Sequence, residues 1–327
     1  MAEGKGRVCV TGGTGFIGSW IIKTLLQNGY TVNTTVRPDP AEKKRDVSFL
    51  TNLPGASEKL KFFTADLSKP ESFNEAIEGC VGIFHTATPM DFVETEPEEI
   101  VTKRNIDGAL GILKACKNSK TVKRVVYTSS ASAVYLQEKE LDVLDESYWS
   151  DVNLLRTLKP FAWPYSVSKT LAEKAVLEFG EQNGLDVVTV IPTFVVGPFI
   201  CPKLPASVYS SLSFLFGDKN PFAMSHLHIV HVDDVARAHI FLFEHPNPKG
   251  RYNCSPFIAP LEEVVQILSP KYPEFSIPTL EEVRKINGHK LSHLTSQKLK
   301  DAGFEFKYSV EEMLDDTIQC CKEKGYL

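Results

Sequence analysis

The feature that most constrains this sequence is a glycine-rich turn near its start, between a strand-like apolar run and a helix-like one. The turn contains Gly12, Gly13, Thr14, Gly15, Phe16, Ile17 and Gly18. Three of its glycines fit the pattern G-x-G-x-x-G, which lets a backbone lie against a pyrophosphate. A helix that begins there directs its N–H groups and the positive end of its dipole at the phosphates. The strand before the turn and the helix after it predict a dinucleotide-binding site.

Strand-like and helix-like stretches alternate through the first 190 or so residues of the chain. After the first strand, the pattern predicts strands at 31–36, 60–64, 82–85, 124–127 and 186–191. Helical patterns lie between several of them, notably over 97–116 and 165–179. This alternation is typical of an α/β fold, a doubly wound parallel sheet of the Rossmann type with helices on both faces.

The sequence changes character after residue 191, where it becomes richer in Pro, Phe and Ser. We therefore expect residues 1–191 to form the dinucleotide-binding domain, with 228–245 returning to it as a strand and a helix. Residues 192–227 and 246–327 are expected to form a smaller, mixed C-terminal region that binds the substrate.

Composition argues against several other classes of protein. The net charge of −5 leaves no basic field, so we expect no nucleic acid partner. The apolar runs are far shorter than the about 20 residues of a membrane span. Seven cysteines without a C-x-x-C pair indicate free thiols and a cytoplasmic location. The spacing of His226, His228 and His231 is not that of a zinc site, so no metal is expected. The oligomeric state stays open, and a monomer is compatible with the sequence.

The residue at the end of the second predicted strand indicates which coenzyme is used. An NAD site usually has an acidic residue there, which binds the ribose hydroxyls. This chain has Arg37, and Lys44 follows in a basic cluster, although an exposed helix face is an equal reading for that lysine. A guanidinium binds a 2′-phosphate in a bidentate manner, so we expect NADPH. After the third and fourth strands, further side chains are placed to meet the adenine edge and the other ribose: Asp66, Leu67, Thr86, Ala87 and Thr88.

A second group of residues carries the chemistry. Tyr165 and Lys169 are four positions apart, so on a helix they share a face, and Ser130 follows the fifth strand. A phenol has a pKa of about 10, and a neighbouring ammonium favours its ionised form. We therefore expect Lys169 to lower the pKa of Tyr165, while Ser130 and Tyr165 hold a carbonyl oxygen between them.

These motifs resemble those of the extended short-chain dehydrogenase/reductases and, within them, the plant dihydroflavonol 4-reductase group. The resemblance covers nearly the whole chain and is carried by residues 11–20, 128–131, 165–174 and 191–198. Residues 49–59 and 320–327 are similar to an isoflavanone 4-ketone reductase of this group in particular.

The resemblance implies a role for each residue that matches a motif. Ser130 would orient the ketone, Tyr165 would donate the proton, and Lys169 would also bind the nicotinamide ribose. Asn105 resembles the asparagine that relays protons in many members, although its position is less regular in the plant group. The resemblance adds four residues along the nicotinamide and the diphosphate: Pro192, Thr193, Val195 and Ser207.

Two departures bear on the substrate. Dihydroflavonol reductases carry an asparagine five residues after the serine, where this chain has Tyr135. They also tend to carry a glutamine just before a late strand, where this chain has the run Met224, Ser225, His226, Leu227 and His228. Both departures favour an isoflavanone-type ketone over a dihydroflavonol. Aromatic and apolar residues after strand ends are expected to enclose such a flat aromatic ketone, in particular Met90, Phe92 and Phe161.

The resulting prediction is NADPH-dependent reduction of an isoflavanone 4-ketone to the isoflavanol, in isoflavonoid and pterocarpan biosynthesis. Three alternatives stay open. One is a dihydroflavonol 4-reductase or related phenylpropanoid carbonyl reductase. A second is a nucleotide-sugar epimerase or dehydratase, which would favour an acidic residue in place of Arg37. A third is an NADP-sensing binding protein without catalysis, which the retained Ser130, Tyr165 and Lys169 disfavour.

Overall fold

The structure is a computed structural model that describes residues 5–38, 46–88, 96–139, 141–217, 225–285 and 292–327. Its strands are β1 Arg7–Thr11, β2 Thr31–Val36, β3 Leu60–Thr64, β4 Gly82–His85, β5 Arg124–Thr128, β6 Val143–Leu144, β7 Val187–Pro192, β8 Phe194–Val196, β9 His226–His231, β10 Gly250–Cys254, β11 Phe257–Pro260 and β12 His293–Leu294.

The α-helices lie mostly between the strands, as the alternating pattern predicts. They are α1 Phe16–Gln27, α2 Ser48–Thr51, α3 Ala56–Lys59, α4 Asn74–Ile77, α5 Glu98–Ser119, α6 Val152–Leu158, α7 Trp163–Asn183, α8 Ala206–Ser211, α9 Val232–Glu244, α10 Leu261–Lys271, α11 Leu280–Arg284, α12 Gln297–Asp301 and α13 Val310–Glu323.

A seven-stranded parallel sheet forms the centre of the protein, in the order β10-β7-β5-β4-β1-β2-β3. The predicted doubly wound parallel sheet is therefore confirmed. The order reverses between β1 and β4, and in open sheets of this kind ligands bind at the carboxyl ends of the strands around such a point.

Alternate residues of the central strands pack on opposite faces of this sheet. On one face Val10, Phe84 and Val126 belong to a core that includes helices α1 and α9. On the other face, Ile83 and Val125 pack in a core with α5 and α7. Because both faces are covered, the middle residues of the central strands are apolar and buried.

Two smaller sheets lie outside the large one. β8, β9 and β11 form the first, and β6 pairs with β12 in the second. Helix α9 packs against α1, β5 and β7, and the expectation that 228–245 returns to the first domain stays a proposal for this helix. Strand β9 does not join the large sheet, because it pairs with β8 and β11.

Strand β10 is also placed differently from the prediction for 246–327. It pairs with β7 as the edge strand of the large sheet, from Gly250↔Val188 to Cys254↔Pro192. The division into two regions otherwise stays a proposal. In the described part of the chain, every helix is too short or too polar to cross a membrane.

Candidate active site

The predicted site residues follow the carboxyl ends of neighbouring strands of the large sheet. Gly12 follows β1, Thr86 follows β4, Ser130 lies just beyond β5, and Thr193 follows β7. Because these strands are parallel, their carboxyl ends meet along one edge of the sheet. The edge therefore brings the glycine turn and the predicted catalytic residues to the same side of the protein.

Two glycines of the turn have different reasons to be glycine. One is required by the packing of the protein, and the other leaves space for a dinucleotide. A Cβ on the buried Gly13 would lie 1.9 Å from Oγ1 of Thr34, so the packing of the protein itself demands glycine there. Gly15 is exposed, and a Cβ on it would meet only the carbonyl oxygen of Gly12, at 3.3 Å. Its open side, at the N-terminus of α1, leaves room for a diphosphate against the backbone.

The rest of the turn is arranged around this opening. Thr14, Phe16 and Ile17 are half-buried, and Phe16 packs edge-to-face on Phe199 with ring centroids 6.3 Å apart. Gly18 is buried in the first turn of α1. The side chains of the turn thus face the protein, and its main chain faces the site.

Residues after β4 close one side of the turn. Oγ1 of Thr86 donates to the carbonyl oxygen of Thr11 at 2.7 Å, and the N–H of Ala87 donates to Oγ1 of Thr11 at 3.4 Å. Oγ1 of Thr88 lies 3.3 Å from Nζ of Lys169. This segment therefore links the glycine turn directly to the predicted catalytic lysine.

The structure brings Arg37 and Asp66 close together at the ends of β2 and β3. Arg37 is exposed, and its charge helps to hold the pKa of Asp66 below its usual value, after the larger effect of the hydrogen bond from the Ser68 N–H. The side chain of Leu67 packs in the core, so only its main chain is available to the coenzyme. Lys44 lies outside the described residues.

Ser130 and Tyr165 meet through their hydroxyl groups. Tyr165 lies in the first turn of α7, and its phenol is hydrogen-bonded to Ser130. The Ser130 hydroxyl also accepts from Oγ of Ser132 at 3.0 Å and from the Ser132 N–H at 3.3 Å. Both residues are half-buried, so they form a fixed pair that a substrate can reach.

Lys169 lies one turn further along α7 and is 2% exposed. Its Nζ donates to the carbonyl oxygen of Thr128 at 2.7 Å and lies 5.0 Å from the centre of the Tyr127 ring. Burial lowers the pKa of Lys169 to about 8, against the opposing effect of Glu173. The amine is therefore mostly charged at neutral pH, although its pKa is closer to neutral pH than that of an exposed lysine.

The expected lowering of the pKa of Tyr165 is wrong for this structure. Burial raises the pKa of the phenol, and the hydrogen bond with Ser130 lowers it by a smaller amount. The physical reason is that the phenol is removed from water, while the Lys169 ammonium is engaged by the Thr128 carbonyl and the Thr88 hydroxyl.

The segment after β7 fits the predicted nicotinamide side of the site. Pro192, Thr193 and Val195 are buried, and Oγ1 of Thr193 has no hydrogen-bond partner within the described residues. A buried hydroxyl of this kind is costly unless a ligand or water satisfies it. Ser207, on α8, donates its hydroxyl to the carbonyl oxygen of Val195 at 2.7 Å, so it lies beside this segment.

On the substrate side, Tyr135 is paired with His228. Its hydroxyl lies 3.0 Å from Nδ1 of His228, with the rings edge-to-face and 5.4 Å apart. Burial lowers the pKa of His228 to about 4, so the imidazole is neutral at pH 7. Nε2 of His228 is buried without a partner in the described part of the chain.

Phe161 is not in the position that was expected of a substrate-binding residue. Its side chain is 84% exposed, and it lies just before Ala162, the left-handed N-cap of α7. Met90 and Phe92 lie outside the described residues. Across the described ranges, no cluster of three or more metal-binding side chains is present.

A buried ion pair that the sequence did not predict lies next to the predicted catalytic residue Lys169. Glu173, on α7, is fully buried and pairs with Arg251 of β10 at 3.0 Å. Glu173 lies four positions after Lys169, a helical spacing that could have revealed it. Asn105, the residue considered for a proton relay, donates its Nδ2 to Oγ of Ser168 at 2.9 Å in the packing of α5 against α7.

Comparison with known proteins identifies the family. Residues 8–255 match the model of the NAD dependent epimerase/dehydratase family. The chain belongs to this family. Vestitone reductase of Medicago sativa is 70% identical over 327 residues, with both chains covered completely. A bifunctional dihydroflavonol 4-reductase/flavanone 4-reductase of Malus domestica is 46% identical, covering 100% of this chain and 93% of its own.

Solved structures of family members agree with the fold. The crystal structure of vestitone reductase from alfalfa has a TM-score of 0.91, with 66% identity, 99% of this chain and 100% of that chain covered. The yeast methylglyoxal/isovaleraldehyde reductase Gre2, complexed with NADPH, has a TM-score of 0.82 with 26% identity, 98% and 100% being covered. The predicted resemblance to extended short-chain reductases of the plant dihydroflavonol 4-reductase group is confirmed.

Proposed function

We propose that this protein reduces the 4-ketone of an isoflavanone to the alcohol with NADPH as the reductant. The observation that carries the reaction type is the hydrogen-bonded pair of Ser130 and Tyr165, one helical turn from the buried Lys169. The 70% identity to vestitone reductase over the whole chain supports the substrate class.

Each residue of the site has its own role in such a reduction. Bound NADPH supplies the hydride. Ser130 donates a hydrogen bond to the ketone oxygen, and Tyr165 transfers its phenolic proton to the same oxygen as negative charge develops there. Lys169 holds a positive charge one helical turn from Tyr165, the residue that loses the proton. The diphosphate lies against the open side of Gly15, and the Arg37 guanidinium donates hydrogen bonds to the 2′-phosphate.

Tyr135 and His228 support an isoflavanone over a dihydroflavonol. The group that the chain resembles carries an asparagine at the position of Tyr135 and tends to carry a glutamine just before the late strand, where this chain has residues 224–228. In this chain the Tyr135 phenol is bonded instead to the neutral imidazole of His228.

The test is the substitution Tyr165→Phe, assayed by NADPH absorbance with isoflavanones, dihydroflavonols and hydroxycinnamoyl thioesters. General acid catalysis contributes about 10²–10⁴ in rate, so turnover should fall by that factor. The affinity for NADPH should change little, because the phenol is not a phosphate ligand. Tyr30→Phe is a matched control, since Tyr30 precedes β2, at the end of the parallel sheet opposite to the site, and its hydroxyl bonds to Glu244 at 2.8 Å.

Two results would contradict the proposal. One is a wild-type protein that reduces none of the isoflavanones, which would leave the dihydroflavonol or binding-protein alternatives. The other is a Tyr165→Phe variant with unchanged turnover.

A further inference from the structure

The strongest unused feature beside the active site is the carboxylate of Glu173, which makes four hydrogen bonds in a fully buried position. Its oxygens accept from Oγ1 of Thr189 at 2.6 Å and from Oγ of Ser129 at 2.7 Å. They also accept from Nε of Arg251 at 3.0 Å and from Nη2 of Arg251 at 3.2 Å. Such a carboxylate is held in one place by its four donors.

Glu173 contacts the active site from two directions. Through Ser129 it holds the residue that precedes Ser130 in the turn after β5. Along α7 it lies one turn after Lys169, whose Nζ donates to the carbonyl oxygen of Thr128. The carboxylate is therefore bonded to the neighbour of Ser130 and lies one helical turn from Lys169.

Arg251 completes the arrangement from β10. It is 6% exposed, its guanidinium lies 3.5 Å from the centre of the Trp149 ring, and its Nη1 donates to the carbonyl oxygens of Glu146 and Tyr148. A buried ion pair contributes little net stability, since desolvation offsets the attraction of the charges. Stability alone is therefore a weak reason for this pair, and a role in the site accounts for it better.

The groups that face Lys169 determine how readily its amine loses a proton, and Glu173 matters most among them. From β4 it meets His85, whose pKa is lowered to about 3 by burial and by Lys169 itself, so the imidazole is neutral. From β5 it meets Tyr127, whose pKa is raised by burial, so that phenol is neutral too. On α7 the neighbours are Tyr165, also neutral, and Glu173, the carboxylate that opposes the effect of burial on Lys169.

We propose that Glu173 is a positioning residue of this reductase site, which keeps the Lys169 amine charged and fixes Ser129 beside Ser130. The proposal deepens the proposed function and rests on it for its kinetic consequences. Arg251 has the complementary task of anchoring the Glu173 carboxylate through two hydrogen bonds.

The first test is the substitution Glu173→Gln, with the Lys169 amine followed by ¹⁵N-lysine NMR in the coenzyme-free protein. The resonance is assigned by its loss in Lys169→Met. A carboxylate within a few ångströms shifts the pKa of its partner by about one to three pH units. Without Glu173 the titration midpoint of Lys169 should fall by about that amount below the wild-type value.

The second test is the pH profile of NADPH-dependent ketone reduction. In Glu173→Gln the basic limb of kcat should move to lower pH, because Lys169 loses its proton earlier, while KM for the ketone should change little. Asp186→Asn is the matched control. It removes the carboxylate of a different, partly buried ion pair, in which Asp186 lies 2.7 Å from Arg124 at the opposite end of β5. Its pH profile should coincide with that of the wild type.

Glu173→Gln leaves Arg251 unpaired in the core, which destabilises the single variant. The double variant Glu173→Gln/Arg251→Met therefore serves as a second test. It removes both charges, and its Lys169 midpoint and basic limb should move in the same direction. A Lys169 midpoint that equals the wild-type value in either folded variant overturns the proposal. Failure of the proposed function would appear instead as missing ketone reduction by the wild type, with the NMR result unaffected.

Discussion

At the scale of single residues, Arg37 determines the expected choice between the two nicotinamide coenzymes. It is exposed at the end of β2, close enough to Asp66 to lower the pKa of that carboxyl. A hydrogen bond to a charged group contributes about 1.5–3 kcal/mol, which is about a tenfold to hundredfold effect. Arg37→Gln should therefore weaken NADPH binding by that factor and leave NADH binding nearly unchanged.

The measurement is the dissociation constant of each coenzyme, from fluorescence titration at one fixed ionic strength. Arg284→Gln, which removes an exposed arginine on α11, is the control for general charge effects. An equal loss of affinity for NADPH and NADH would show that Arg37 does not read the 2′-phosphate.

The placement of Tyr165 and Lys169 on one helix could be predicted from the sequence, because their spacing fixes their common face. Their protonation could not. The pKa of Tyr165 depends on burial by distant parts of the chain, which no spacing reveals. Arg251 was missed for the same reason, since it reaches the site only because β10 joins the large sheet.

At the scale of elements, the β1–α1 turn separates glycines that the fold needs from one that the coenzyme needs. A Cβ on Gly13 would clash with Thr34, so Gly13→Ala should destabilise the protein by an amount typical of overpacking, about 1–3 kcal/mol. Gly15 has a φ of −81° and open space around it, so Gly15→Ala should fold normally and bind NADPH more weakly.

Urea unfolding and coenzyme titration of the two variants measure these effects separately. The opposite result, a Gly15→Ala protein that is unstable but binds NADPH as the wild type does, would mean that this glycine serves the fold and not the ligand.

The elements that the sequence predicted well are those with strong local patterns. β2, β3 and β4 have the predicted bounds, and α5 and α7 extend the predicted helices by a few residues at their ends. The pairing of β9 and β10 was beyond such patterns, because the residues of a strand do not specify its partner. Which sheet a strand joins depends on the edge that the rest of the chain leaves open, here β7 for β10 and β8 for β9.

At the scale of the whole molecule, the packing of α9 and the sheet keeps several histidines buried and neutral. Burial lowers the pKa of His239 to about 4, that of His228 to about 4 and that of His85 to about 3. His239 joins α9 to the end of β5, since its Nε2 lies 2.7 Å from Oγ1 of Thr128 and its Nδ1 2.7 Å from the carbonyl oxygen of Val235.

These histidines predict a loss of stability in mild acid. An unfolded histidine binds its proton near pH 6.5, whereas these remain neutral in the folded state until about pH 4 or below. Between those values the unfolded state binds more protons, so the free energy of unfolding falls as the pH falls. One pKa unit corresponds to 1.36 kcal/mol, so each histidine should cost about 2 kcal/mol between pH 7 and pH 5.

Comparison of matched variants isolates this contribution from that of the carboxylates. Burial raises the pKa of Asp234 and Glu146, and such groups stabilise the folded state as the pH falls, so the total slope mixes opposite effects. Urea unfolding of the wild type, His239→Gln and His293→Gln at pH 7 and pH 5 separates them, because His293 is exposed. His239→Gln should lose about 2 kcal/mol less than the wild type between the two pH values, and His293→Gln should behave as the wild type does. An identical loss in all three proteins would mean that His239 is protonated in the folded state, and that its place between α9 and β5 admits a charge.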